Sequence, residues 1–189
     1  MPDSQSALTA SILDAWATAS RVTSYLVERI PPALWSAPVP GAPRRTIRSI
    51  AIHLHNSRCT WTRTLGAQHG IAAPSLVDRH GTGRRQLLAA LRRSGRAIAA
   101  LLSLGCREGG AIPPARAYVW RNLPLDVGHV LAYFVAHEGH HRGQIVLAAR
   151  ALDLRLPTPA TDGLWQWNKR AAEATGIHTR HHRRQPPSF

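Results

Sequence analysis

The sequence predicts an all-α protein, a four-helix bundle with a short extra helix at its C-terminal end. Three observations predict it. Four long stretches repeat apolar residues at spacings of three and four, the period of a helix with one buried face. Connections rich in proline and glycine separate them. Alternating apolar and polar runs, the mark of half-buried strands, are scarce.

The first helix is expected over residues 5–29, where Ile12, Trp16, Ala19, Val22, Leu26 and Ile30 form the stripe and Pro31-Pro32 stops it. The connection PPALWSAPVPGAPRR follows, with Trp35 as an anchor onto the core. The second helix is expected from Thr46 to Leu65 on the stripe Ile47, Ile50, Leu54, Trp61 and Leu65, ended by Gly66 and Gly70. The third begins near Thr82, a good capping residue, and ends near Gly105. Leu87, Leu88, Leu91, Ile98, Leu101 and Leu102 are its apolar face. Residues 106–123 carry Gly109, Gly110, Pro113 and Pro114 and read as a long loop with a short extended piece around Tyr118. The fourth helix starts at Pro124, a favoured first-turn residue, and runs to Leu152. Val127, Val130, Leu131, Phe134, Ile145, Ala148 and Ala149 line it. A short helix is expected over Asp162–Thr175. No repeat of fixed period is visible.

The chain has 189 residues, 44% of them hydrophobic and 18% charged, enough apolar material for one sizeable core. The expected organisation is a single domain over 1–175 and a basic, flexible tail over 176–189. No apolar run reaches the length of a membrane span, and the N-terminus lacks the basic-then-apolar pattern of a secretory signal. Cys59 and Cys106 fit no metal spacing, and so sparse a use of cysteine suits a reduced, cytoplasmic setting. The formal net charge is +14, from 24 basic and 10 acidic residues. Lys169 is the single lysine, and an arginine-only habit of this kind reflects codon usage more than a designed surface. The field still attracts anions. The basic residues form no aromatic-interleaved patch, which argues against specific nucleic-acid binding.

The chemistry-bearing stretch is HEGHHRGQ, residues 137–144. On a helix, His137 and His141 stand one turn apart on the same face, about 6 Å along the axis, so both imidazoles can reach one divalent ion. A further ligand must come from another helix, and IAIHLHNSRCTW offers His53 and His55. At about 100° per residue the two fall on opposite flanks of the apolar stripe, and periodicity does not choose between them. The bland alternative is a set of solvated helix-edge histidines in a chain that has 11 of them. The same letters also spell H-E-x-x-H, the zinc-protease helix in which the glutamate is general base. Its extended form wants a glycine and a third histidine further on, where this chain has Gln144 and Leu147.

Taken together, RTIRSIAIHLHNSR at 45–58, HEGHHRGQI at 137–145 and GLWQW at 163–167 resemble the DinB family of metal-dependent bacterial proteins. The resemblance covers roughly residues 5–170, and HEGHHRGQI is its specific part. It implies a four-helix bundle, often a homodimer, with one divalent metal on three histidines. Carried onto this sequence, the ligands are His53, His137 and His141, with His55 in reserve and His140 exposed or just behind a ligand. Zinc, nickel and iron all suit such a donor set. The resemblance further implies a thiol-dependent transferase or a hydrolase acting on a small molecule, and a low-molecular-weight thiol such as bacillithiol or mycothiol as co-substrate.

Supporting roles follow from position. Glu138 is a candidate to take a proton, or to pair with Arg142. Gln144 is placed to hydrogen-bond a ligand histidine. Asn56 and Arg58 are candidates for the pocket mouth, with a solvated surface position the plainer reading of Arg58. Trp61 and Trp165 read as core or pocket wall. Cys59, on the same side as His55, reads as a small core residue before it reads as a soft fourth ligand. Two other classes stand beside the enzyme reading. One is a non-enzymatic bundle that binds metal and a small molecule, and the other is the H-E-x-x-H protease.

Overall fold

The computed structural model describes residues 4–119 and 121–176, and they are mostly helical. Four long helices dominate: α1 (Ser4–Arg29), α3 (Ile47–Gly66), α4 (Arg84–Arg107) and α5 (Val127–Ala151). The turn α2 (Pro32–Trp35) and a hairpin of β1 (Pro38–Val39) and β2 (Ala42–Thr46) fill the first connection. The short helices α6 (Thr158–Gly163) and α7 (Trp167–Ala174) close the chain. α1 packs on α4 and α5, and α3 packs on the same two, so the long helices surround one interior; α7 lies along α1.

Several boundaries differ from the sequence expectation for local reasons. α4 starts at Arg84, capped at Gly83, whose N–H donates to Gln86 Oε1 at 2.8 Å. Thr82 is buried one residue earlier and does not cap. α5 starts at Val127 because Asp126 caps it by accepting the His129 N–H at 3.0 Å, so Pro124 lies outside the helix. The segment around Tyr118 is no strand. Its ring is buried, and its hydroxyl donates to the Leu123 carbonyl at 2.9 Å. The one ladder contact nearby is the isolated bridge Ala111–Asp126. The hairpin was not foreseen; it turns at Gly41, where φ is +74°. The expected helix over 162–175 is two helices broken at 164–166. Trp165, on that break, is 84% exposed and belongs to no core. Residues 177–189, the expected tail, lie outside the described residues.

The interior has three layers. One apolar cluster gathers Leu26, Ile30, Leu34, Ile47, Ile50, Leu54, Leu87, Leu91 and Ile145. A second, further along the helices, gathers Trp16, Ala19, Leu65, Ile98, Leu101, Val130 and Phe134. Between them every long helix contributes buried polar groups: Thr23 from α1, His55 and Arg58 from α3, Ser94 from α4, Glu138 and His141 from α5. The candidate functional residues sit in this middle layer and at its edge.

Candidate metal centre

His53 of α3 and His137 and His141 of α5 meet where these two helices face each other. One ligand atom from each lies within 4.8 Å of the others. Ring centroids are 4.6 Å apart for His53–His141, 5.3 Å for His53–His137 and 4.6 Å for His137–His141. The Nε2 atoms of His137 and His141 are 3.2 Å apart. Two nitrogens on one tetrahedral ion, at bonds of about 2.0–2.1 Å, stand roughly 3.3 Å apart, so the pair already has the required separation.

His141 Nδ1 lies 2.8 Å from Gln144 Oε1, an acceptor, so the ring proton sits on Nδ1. Its Nε2 lone pair then faces the cluster. Gln144 Nε2 in turn donates to His140, which is exposed. His137 is braced differently, by the Tyr133 ring stacked on it at 5.9 Å and 15°.

Burial lowers the pKa of His53 to about 4, helped by His141, His137, Arg79 and Arg45. Burial, His141 and His140 bring His137 to about 4 as well. His141 is lowered by burial, against the opposing bond to Gln144. All three rings are therefore neutral near pH 7, the form that offers lone pairs. Three neutral imidazoles fit zinc, nickel or iron(II) without a protein carboxylate or thiolate.

His55 is not in this cluster. It is fully buried, with Nδ1 3.0 Å from Ser94 Oγ and Nε2 3.0 Å from the Ser75 carbonyl. Cys59 lies against His55, its sulfur 3.4 Å from Nε2, and burial pushes its thiol up to about 11. Asn56 clamps the segment before α4: its Nδ2 donates to the Val77 carbonyl and its Oδ1 accepts the Val77 N–H, both at 3.0 Å. The clamp makes a second wall opposite α3. Between the walls runs an open cleft of about 520 Å³ that begins at His53 and passes Asn56, Thr60 and Trp61 on one side and Leu76, Val77 and Arg79 on the other.

Glu138 and Arg58 stand apart from the cleft. Both side chains are 1% exposed, and they form an ion pair with Arg58 Nη2 at 2.5 Å and Nε at 2.6 Å from Glu138 Oε1. Thr23 donates to Glu138 Oε2 at 2.5 Å and accepts from Arg142 Nη1 at 2.8 Å. Arg142 itself stands 3.7 Å from Glu138, a looser contact than the direct pair the spacing suggested. Arg58 also donates to the Leu91 carbonyl at 3.1 Å and lies over the Trp16 ring at 4.9 Å. Arg58 is thus at the centre of the molecule, not on a solvated surface, because its position continues the buried stripe of α3.

Sequence reasoning missed Tyr133, Thr23 and the wall 75–79. Tyr133 gave no signal beyond its place one turn before His137. Thr23 was detectable as a polar residue between Ala19, Val22 and Leu26. The wall carries no periodicity, and nothing in its sequence marks it.

No curated protein and no solved structure matches the chain. One family model does, over residues 1–174, which takes in α1 to α7 and all three converging histidines. The chain belongs to the DinB family.

Proposed function

We propose that the protein is a divalent-metal-dependent enzyme of the four-helix-bundle DinB type, a thiol-dependent S-transferase or a hydrolase acting on a small molecule. The observation that carries this reading is the meeting of three neutral histidines at the end of an open cleft. His53, His137 and His141 would hold a divalent ion, which would lower the pKa of a bound water or thiol and so supply a nucleophile near neutral pH. The chain's own residues do the rest. Gln144 holds His141 in the tautomer that presents Nε2, and Tyr133 fixes the His137 ring. Asn56 and His55 hold the wall that shapes the cleft. Trp61 gives that cleft an apolar side on which a small substrate can rest.

Thiol transfer is favoured over hydrolysis by the place of Glu138. A hydrolase of the H-E-x-x-H kind needs this carboxylate to take a proton from the attacking water. Here both oxygens are engaged by Arg58 and Thr23 inside the core. A thiol held by a metal on these histidines would release its proton to solvent and would need no carboxylate at this position. Glu138 is then a structural residue, Arg58 its counter-charge, and Asn56 a builder of the pocket. A homodimer and a cytoplasmic setting belong to the same reading, and no helix among the described residues is long and apolar enough to cross a membrane.

The test is turnover. The purified protein, loaded with zinc, nickel or iron(II), is assayed with bacillithiol or mycothiol against electrophiles such as chlorodinitrobenzene, and separately with ester and amide substrates. Thiol conjugation that vanishes in His137→Ala and on chelation supports the reading. Stoichiometric metal with no activity in any arm supports the non-enzymatic alternative, a bundle that only binds metal and a small molecule.

A further inference from the structure

The cleft beside the histidine trio has a chemical bias beyond its metal. Its α3 wall presents residues one turn apart, His53, then Asn56 and Ser57, then Thr60 and Trp61. Asn56 spends its amide on Val77, and the Thr60 hydroxyl donates to the Asn56 carbonyl at 3.0 Å. That leaves the Ser57 hydroxyl and the Trp61 ring, held edge-on by Tyr133 at 5.2 Å, as the recognition surface of this wall. The facing wall offers Leu76, 49% exposed, and Val77 as apolar contacts.

The charges are arranged unevenly. Arg79 lines the cleft and is exposed, as is Arg45 on β2. Like most arginines of this chain, Arg79 has no carboxylate partner among the described residues; what sets it apart is its place in the cleft wall. Asp78, the acid beside Arg79, turns its carboxylate back to the N–H groups of His80 and Gly81. Asp78 also lines the cleft and keeps its charge, but its carboxylate is engaged by these backbone donors and makes no ion pair with Arg79. An arginine with no carboxylate partner beside an aromatic wall matches a ligand with an anionic group on an apolar body.

We propose that this cleft selects small organic anions, with the carboxylate or phosphate group held by Arg79 and the carbon body resting on Trp61, Leu76 and Val77. The proposal deepens the metal-enzyme reading and rests on it for the identity of the site as the place of reaction.

Calorimetric titration tests it at fixed ionic strength, with benzoate, phenyl phosphate and neutral benzamide as probes. Each is titrated into chelated and into zinc-loaded protein, for the wild type, Arg79→Gln and Arg92→Gln. Arg92 is an exposed arginine on α4, away from this cleft, and controls for overall charge. At least one anion should bind the chelated wild type about five- to tenfold more tightly than benzamide, as a charge-assisted contact implies. Arg79→Gln should abolish that preference, and Arg92→Gln should keep it. The ranking of benzoate and phenyl phosphate then separates a carboxylate ligand from a phosphate one. Equal binding of benzamide overturns the proposal. So does an anion preference that survives Arg79→Gln, or one that falls equally in Arg92→Gln. Zinc uptake is measured in the same samples. Anion selectivity without zinc uptake sinks the metal reading alone, and zinc uptake without anion selectivity sinks this inference alone.

Discussion

At position 138 the helical repeat asks for an apolar side chain and the sequence supplies a carboxylate. The buried stripe of α5 runs Val127, Val130, Phe134, Glu138, His141, Ile145 and Ala148. That of α3 runs Ile47, Ile50, Leu54, Arg58, Thr62 and Leu65. Each stripe has a gap when only apolar residues are counted, and the two gaps hold opposite charges. That signal was legible: opposite charges filling the gaps of two neighbouring stripes point to a buried pair. The H-E-x-x-H spacing points to a base at Glu138 instead. Removing one partner leaves the other charged and buried, at a cost of about 3–5 kcal/mol. Glu138→Gln should therefore lower the urea-unfolding free energy by about that amount while the folded protein keeps its metal. The double variant Arg58→Met/Glu138→Leu should recover most of the loss, and a double-mutant cycle measures the coupling. Gln144 belongs to the other kind of residue, one that acts through a neighbour. Gln144→Ala frees the His141 ring, and metal affinity, read by competition with a chromophoric chelator, should weaken by about 10–100-fold with little change in stability.

Among the elements, α3 does two jobs from two faces. His53 faces α5, while His55 and Asn56 hold the segment that becomes the facing wall of the cleft. Periodicity placed both histidines on the flanks of the stripe but had no information about which flank faces α5, since that depends on how the helices pack. His55→Ala should leave metal content unchanged and speed amide exchange at Val77, whose N–H is held by the adjoining Asn56, as hydrogen–deuterium exchange can show. The C-terminal elements dock by a close approach the sequence did not disclose. A Cβ on Gly163 would collide with the ring and hydroxyl of Tyr25, and Tyr25 is held by Arg170 at 3.9 Å from its ring and donates to the Pro159 carbonyl at 2.9 Å. Gly163→Ala must push α6 off α1 and should cost about 1–3 kcal/mol in a denaturant melt. The long helices were readable because a 3.6-residue period persists over five or more turns. Caps, the hairpin and the break at 164–166 were not, because each is set by one or two local hydrogen bonds.

For the molecule as a whole, the polar layer between two apolar clusters couples the candidate site to stability. Without metal, His53 and His137 have folded pKa values of about 4 against an ordinary 6.5, so between these values the unfolded chain binds more protons than the folded one. The contribution of these two rings to the stability of the chelated protein should then fall as pH drops from about 6.5 to about 4 and level off below. The slope should shrink in His53→Gln/His137→Gln, as thermal melts across that range can show. Fold class was legible at this scale because four amphipathic helices have few ways to bury their stripes. The convergence of His53 on His137 and His141 was legible only through family resemblance, since two helices with 60 residues between them meet by tertiary packing. The central claim, that these three side chains and no others hold one divalent ion, is tested most directly by elemental analysis. Untagged protein purified without added metal is compared with His53→Ala, His55→Ala and His141→Ala. About one metal per chain is expected in the wild type and in His55→Ala, and none in His53→Ala or His141→Ala. Metal retained in His53→Ala and lost in His55→Ala, or absent from the wild type even after soaking, would contradict it.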